Sequence, residues 1–239
     1  MSTTTKRAHD RREGNSGETR IRVPGVGYQV YQTLIEAAPA RTAIRMAYDG
    51  RDLEIMVKGP VHENFARLLD RFVMAVASEL GIRLEGLGET TWKRPEIERG
   101  LEADQCYFVA PDKIAIVNAA LARKSNDVAD YPNPDMAIEV DVSPSQVDRP
   151  GIYAALGVQE VWQFDGETVS IHWLDSGPRQ DAGEGRYFDA GQSRWLPVYA
   201  SEATRWLVEE DSRDKAAWEA RVRAWAREEP AGRLEGGKS

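Results

Sequence analysis

The segment Asp135-Met-Ala-Ile-Glu-Val-Asp-Val142 is the strongest constraint on how this chain can fold. In an extended chain, side chains alternate between two faces. Met136, Ile138, Val140 and Val142 then fall on one face, and Ala137, Glu139 and Asp141 on the other. The apolar face asks for a helix or a second sheet packed against it. The opposite face sets two carboxylates side by side, and burying like charges together costs roughly several kcal/mol unless a cation or a proton compensates. A hard divalent cation satisfies that requirement, because magnesium prefers oxygen ligands and no His or Cys near this strand favours zinc. The alternative is an edge strand whose acids are solvated and deter aggregation.

Two further acids are candidates for the same site. Asp104 begins the short strand Asp104-Gln-Cys-Tyr-Phe-Val and adds a third carboxylate if the two strands are neighbours, although alone it reads equally as a turn residue. Glu63 lies early in the most regular helix of the chain, where an acid is ordinarily explained by the helix dipole. In that helix, opened by Pro60, Phe65, Leu68, Leu69, Phe72, Val73, Val76 and Leu80 recur at helical spacing and Gly81 is the stop signal.

Around these elements the pattern predicts a helix over 27–38 and a hairpin of strands 42–48 and 52–57 turning at Asp49-Gly50. Short strands are expected at 83–85, 105–109 and 115–117, with a polar loop over 123–133. A short helix at 152–156 ends at Gly157, and strands at 160–164 and 169–173 follow, joined at Asp165-Gly166. From Glu202 to Glu228, Trp206, Trp218 and Trp225 stand among many charges, as in one or two helices docked on the edge of a domain. This order of elements points to an α/β or α+β fold, with no internal repeat.

A chain of 239 residues with 41% hydrophobic residues can bury one substantial core. We expect a disordered tail over 1–20, one domain over 21–208, and a charged helical extension over 209–239 whose end, from Glu229, lacks core residues and is disordered. The first twenty residues hold no apolar run and no stretch approaches eighteen uninterrupted apolar residues, so a soluble, cytoplasmic protein with no membrane segment is expected. The single Cys106 excludes an internal disulfide and a cysteine-cluster zinc site. Net charge is -8, an unfavourable sign for tight binding to nucleic acid, although a bound divalent cation inverts the local field. No Gly-x-Ser-x-Gly, His-rich or Cys-His arrangement supports a small-molecule hydrolase.

Taken together, Leu53-Glu-Ile-Met56, His62-Glu63, Gly88-Glu-Thr-Thr91, Leu101-Glu-Ala-Asp-Gln-Cys-Tyr107, Pro134-Asp-Met-Ala-Ile-Glu-Val-Asp141 and Tyr153-Ala-Ala-Leu-Gly-Val-Gln-Glu-Val-Trp162 resemble, in order and spacing, a restriction endonuclease family of bacterial proteins with the PD-(D/E)XK nuclease fold. The resemblance runs from about Gly27 to Val208. It implies a central mixed β-sheet flanked by helices, with Asp104 as the first site acid and Glu139 as the second. It also implies an Mg²⁺-dependent DNA endonuclease, with Mn²⁺ as a possible substitute ion and Asp104, Glu139 and Asp141 as metal ligands. Two positions depart from the family pattern: Ala103 stands where a Pro is usual, and Arg149, four residues before Tyr153, stands where the family's lysine is expected. Arginine clamps phosphate but stays protonated near neutral pH. The alternative is therefore a catalytically impaired nuclease-fold protein that binds nucleic acid or a protein partner. Glu63 and Gln105 are expected to support the site from behind, His62 to cap or pack as readily as to act, and Tyr153, Trp162, Trp173 and Cys106 to pack. Paired single-strand cuts would suit a homodimer.

Overall fold

The computed structural model describes residues 17–38, 43–175 and 186–236. In chain order the elements are β1 (Thr19–Val23), α1 (Tyr28–Ala37), β2 (Ile44–Tyr48), β3 (Leu53–Val57), α2 (Pro60–Glu79), β4 (Glu85–Gly86), β5 (Thr91–Arg94), β6 (Arg99–Glu102), β7 (Gln105–Phe108), α3 (Pro111–Ala122), β8 (Met136–Val140), α4 (Arg149–Leu156), β9 (Glu160–Phe164), β10 (Val169–Leu174), β11 (Tyr187–Asp189), α5 (Ala200–Thr204), α6 (Lys215–Glu228) and α7 (Pro230–Gly236). They build two sheets. The first has the order β1-β3-β2-β6-β5 and is antiparallel throughout. The second runs β11-β10-β9-β8-β7-β4 and is mixed, its one parallel pair being β8 and β9, joined by α4.

Every residue of β8 is buried, as a central strand covered on both faces requires. Met136, Ile138 and Val140 join Leu69, Phe72 and Val76 of α2 in the larger apolar cluster. Trp218 and Trp225 of α6 complete that cluster, with the Trp225 ring stacked on Phe72 at 5.8 Å between centroids. On the other side of the sheet Ala137 packs with Ile152, Tyr153 and Leu156 of α4 and with Ile114 and Val117 of α3. The central mixed sheet flanked by helices is therefore present, as is the two-faced strand read from residues 135–142. The β2-β3 hairpin turns at Gly50, whose φ of 94° a side chain would resist, and Asp49 Oδ1 accepts the backbone N–H groups of Arg51 and Asp52. Among the described residues, no helix is long and apolar enough to cross a membrane.

Three expectations are corrected and one unassigned stretch is filled. Residues 115–117 are not a strand but the middle of α3: Pro111 opens the helix, and Ile114, Val117 and Ala120, three residues apart, are its buried side. Thr19 and Arg20, expected in a disordered tail, pair with Val57 and Met56 in β1, because the edge of β3 supplies backbone partners; residues 1–16 lie outside the described residues. Strands β5 and β6 replace an unassigned stretch, with Trp92 and Leu101 fully buried. Beyond Glu229 the chain continues as α7, where Arg233 donates to Glu202 and to the Pro197 carbonyl.

Candidate active site

Glu139 projects from β8 and Asp141 follows it, while Asp104 immediately precedes β7 in the neighbouring strand. All three are at least nine-tenths buried. Asp104 Oδ2 accepts the Val140 N–H at 2.9 Å, which ties the first acid to the strand that carries the second. Its Oδ1 lies 2.8 Å from His62 Nε2, and His62 Nδ1 lies 2.7 Å from Glu18 Oε1. Burial alone would discharge this imidazole, but hydrogen bonds and charge from Asp104 and Glu18 raise it to about 9, so it is an imidazolium at neutral pH. Burial likewise works to raise Asp104, yet the hydrogen bond and charge of His62, then Lys58 and the Val140 N–H, hold its carboxyl below the usual range.

Glu139 is a different case. Tyr153 donates its O–H to Oε1, and Arg149 Nη1 donates to Oε2 at 2.5 Å. Burial nonetheless pushes the carboxyl up to about 8, with the charges of Asp104 and Asp141 adding to the shift against the pull of Arg149. Arg149 opens α4 behind the N-cap Asp148, whose side chain accepts the Gly151 N–H, and it reaches Glu54 as well, Nε to Oε1 at 3.4 Å. Asp141 accepts Arg20 Nη2 at 2.7 Å and Gln163 Nε2 at 3.0 Å. Arg20 also donates to Glu54 at 2.9 Å and to Ser143 Oγ at 3.0 Å. The buried amine of Lys58, just past β3, lies 2.6 Å from Glu63 and from Glu89 and 3.6 Å from Asp104.

The structure thus brings Asp104, Glu139, Asp141 and Arg149 into one buried cluster and leaves Glu63, its side chain about a third exposed, on the rim behind Lys58. Sequence reasoning did not anticipate Glu18, Arg20, Glu54 or Lys58, and read Tyr153 as packing alone although its hydroxyl holds Glu139. A signal for two of these was available: Glu54, Met56 and Lys58 share one face of a strand that is otherwise apolar. For Glu18 and Arg20 no local signal existed, since their partners lie between 34 and 125 residues away. Cys106 is a buried core residue, as read.

In kind, the donors suit a hard divalent cation: they are carboxylates, and burial, with the charges of Asp104 and Asp141 added to it, raises the Glu139 pKa against the pull of Arg149. They are not a preassembled cage. Among the described residues no three His, Cys, Asp or Glu are grouped to hold a metal ion, and the oxygens of Asp104, Glu139 and Asp141 each accept from groups of the chain itself. A cavity of about 220 Å³ opens onto Glu139, Asp141 and Arg149, giving the cluster a path to outside molecules.

A family model described as "Putative restriction endonuclease", Uma2, matches residues 30–199. The chain belongs to this family. The Uma2 match includes Asp104, Glu139, Asp141 and Arg149 and stops short of Glu18 and Arg20, which enter the site from outside the matched region. Membership in Uma2 agrees with the restriction-endonuclease-like mixed sheet and points to a nuclease. No curated protein matches the chain.

Proposed function

We propose that this chain is a divalent-metal-dependent DNA endonuclease that hydrolyses phosphodiester bonds, using Mg²⁺ with Mn²⁺ as a substitute. The observation that carries this reading is Glu139: a buried carboxyl with its pKa raised to about 8 beside two more acids, opening on a cavity that an arginine also lines. Asp104, Glu139 and Asp141 are the residues that would hold the ion. When bound, the ion supplies neutralisation of phosphoryl charge and a water acidic enough to act as nucleophile near neutral pH.

The chain's own groups have the following roles. Glu139 keeps a proton at neutral pH when no ion is present, and releases it as positive charge arrives. Tyr153 fixes Oε1 of that carboxylate. Arg149 keeps its charge, since burial is outweighed by Glu139, Asp141 and Glu54. Its Nη2 hydrogen-bonds to no described residue and is free to meet a phosphate oxygen, so arginine here is an electrostatic clamp and not a proton acceptor. His62 and Lys58 hold Asp104 ionised.

One observation favours the second reading, a catalytically impaired nuclease-fold protein that binds nucleic acid or a protein partner. The acids are already paired with Arg20, His62 and Arg149, and an ion must displace some of these contacts. Calorimetric titration of the metal-free protein with Mg²⁺ and Mn²⁺ separates the two. Saturable binding that releases protons near pH 7 and is lost in Glu139→Gln supports the endonuclease; no binding by folded protein supports the impaired form.

A further inference from the structure

We propose that the cavity beside the acids is a nucleobase subsite, taking the base of an unstacked nucleotide whose phosphate lies against Arg149. This rests on the reading of the chain as a DNA-directed nuclease and adds its substrate class: single-stranded DNA, or a nucleotide that has left the stack. The position follows from strand register. Glu139 of β8 stands beside Gln163 of β9, and Val161, two residues earlier on the same face, stands beside His172 of β10. The face that carries the acid thus continues sideways across two more strands to Tyr187 of β11, which pairs with β10. α4 covers that face with Pro150 and Tyr153, and the space left between is the 220 Å³ cavity.

Its chemistry suits a base better than a second phosphate. Pro150, Tyr153, Val161 and Tyr187 give it flat or apolar walls. Its polar groups are uncharged away from the acid end: Gln163 gives its N–H to Asp141 and leaves Oε1 unbonded, and His172 makes no hydrogen bond to a described residue. Burial, only partly opposed by Asp189, lowers the His172 pKa, so the ring is neutral and offers one donor and one acceptor. A free carbonyl oxygen and an imidazole at the end of an apolar slot match the alternating donors and acceptors of a base edge. The volume lies below the roughly 300–1,000 Å³ of drug-sized ligand sites, which suits one ring system and excludes a base pair. Inside a duplex a base would first have to unstack, and single strands avoid that cost.

The test uses the full chain in EDTA, so that binding is read without hydrolysis. Fluorescence anisotropy compares a labelled oligothymidylate, an abasic strand of the same length and a blunt duplex. The expected result is at least tenfold tighter binding of the oligothymidylate than of either alternative, with His172→Leu removing that preference while leaving the abasic strand unchanged. Because a substitution in the sheet can perturb folding, the wild type is also titrated with thymidine monophosphate while its imidazole C–H resonances are followed by NMR, a spectrum of only three histidines. His172 should shift most. Equal affinity for thymidylate and abasic strands, no binding of either, or a His172 resonance that does not move would overturn the subsite. Cleavage with Mg²⁺ is assayed on the same preparation. Cutting without base preference removes the subsite and spares the nuclease, and base preference without cutting does the reverse.

Discussion

The two faces of β8 solve opposite problems with the same backbone. Met136, Ile138 and Val140 meet α2 and the tryptophans of α6, where each contact is apolar and any volume-conserving neighbour would serve. Glu139 and Asp141, one residue out of phase, are just as dry, yet each is fixed by named donors: Tyr153 and Arg149 for the first, Arg20 and Gln163 for the second. Burial that stabilises one face is a cost on the other, offset by arginines brought from β1 and α4. The apolar face therefore holds the fold, while the polar face is a poised charge arrangement that stability alone does not require.

Removing the cation from the polar face should have the largest effect on stability. Arg149→Ala strands Glu139 and Glu54 in the interior, and urea unfolding at pH 8 should show a loss of about 3–5 kcal/mol. The same variant at pH 5 should lose less, because Glu139 is then protonated. An equal loss at both pH values would mean that Arg149 acts through packing alone. On the opposite face Ile138→Ala should cost about 2–5 kcal/mol by leaving a cavity, with no dependence on pH over that range; a strong pH dependence there would erase the distinction between the faces.

Smaller effects sharpen the comparison. His62 and Glu139 both have folded-state pKa values above their ordinary ones, at about 9 and about 8. Each binds its proton more tightly folded than unfolded, so their contribution is full at low pH and is lost as pH rises. For Glu139 that loss runs from about 4.5 to about 8, and for His62 from about 6.5 to about 9. The melting temperature of metal-free protein should therefore fall between pH 6.5 and 9, and Glu139→Gln should flatten the fall. The smallest effect is the response to Mg²⁺, which should raise the melting temperature more at pH 8 than at pH 5.5, because the ion competes with the Glu139 proton. A response independent of pH would place the ion elsewhere.

What could be read in the sequence follows from what is local. Period-two alternation over 135–142 and helical spacing over 60–80 placed β8, its buried face and α2, because each signal sits within one element. Residues 115–117 were misread since Ile116 and Val117 favour strands, while the helix depends on Pro111 and on tertiary contact. Half of the site was not local at all. Asp104, Glu139 and Asp141 stood out as acids in apolar strands, but the cations that neutralise Asp104 and Asp141 come from positions 20, 58 and 62, joined to them only by the fold.

The most direct test of this account is cleavage of supercoiled plasmid and of single-stranded DNA by the purified chain with Mg²⁺ or Mn²⁺, beside Asp104→Ala and Glu139→Ala. Metal-dependent cutting by the wild type, reduced at least a hundredfold in both variants, is the predicted result. Absence of cutting by the folded wild type with either ion, or cutting by either variant at the wild-type rate, would contradict it.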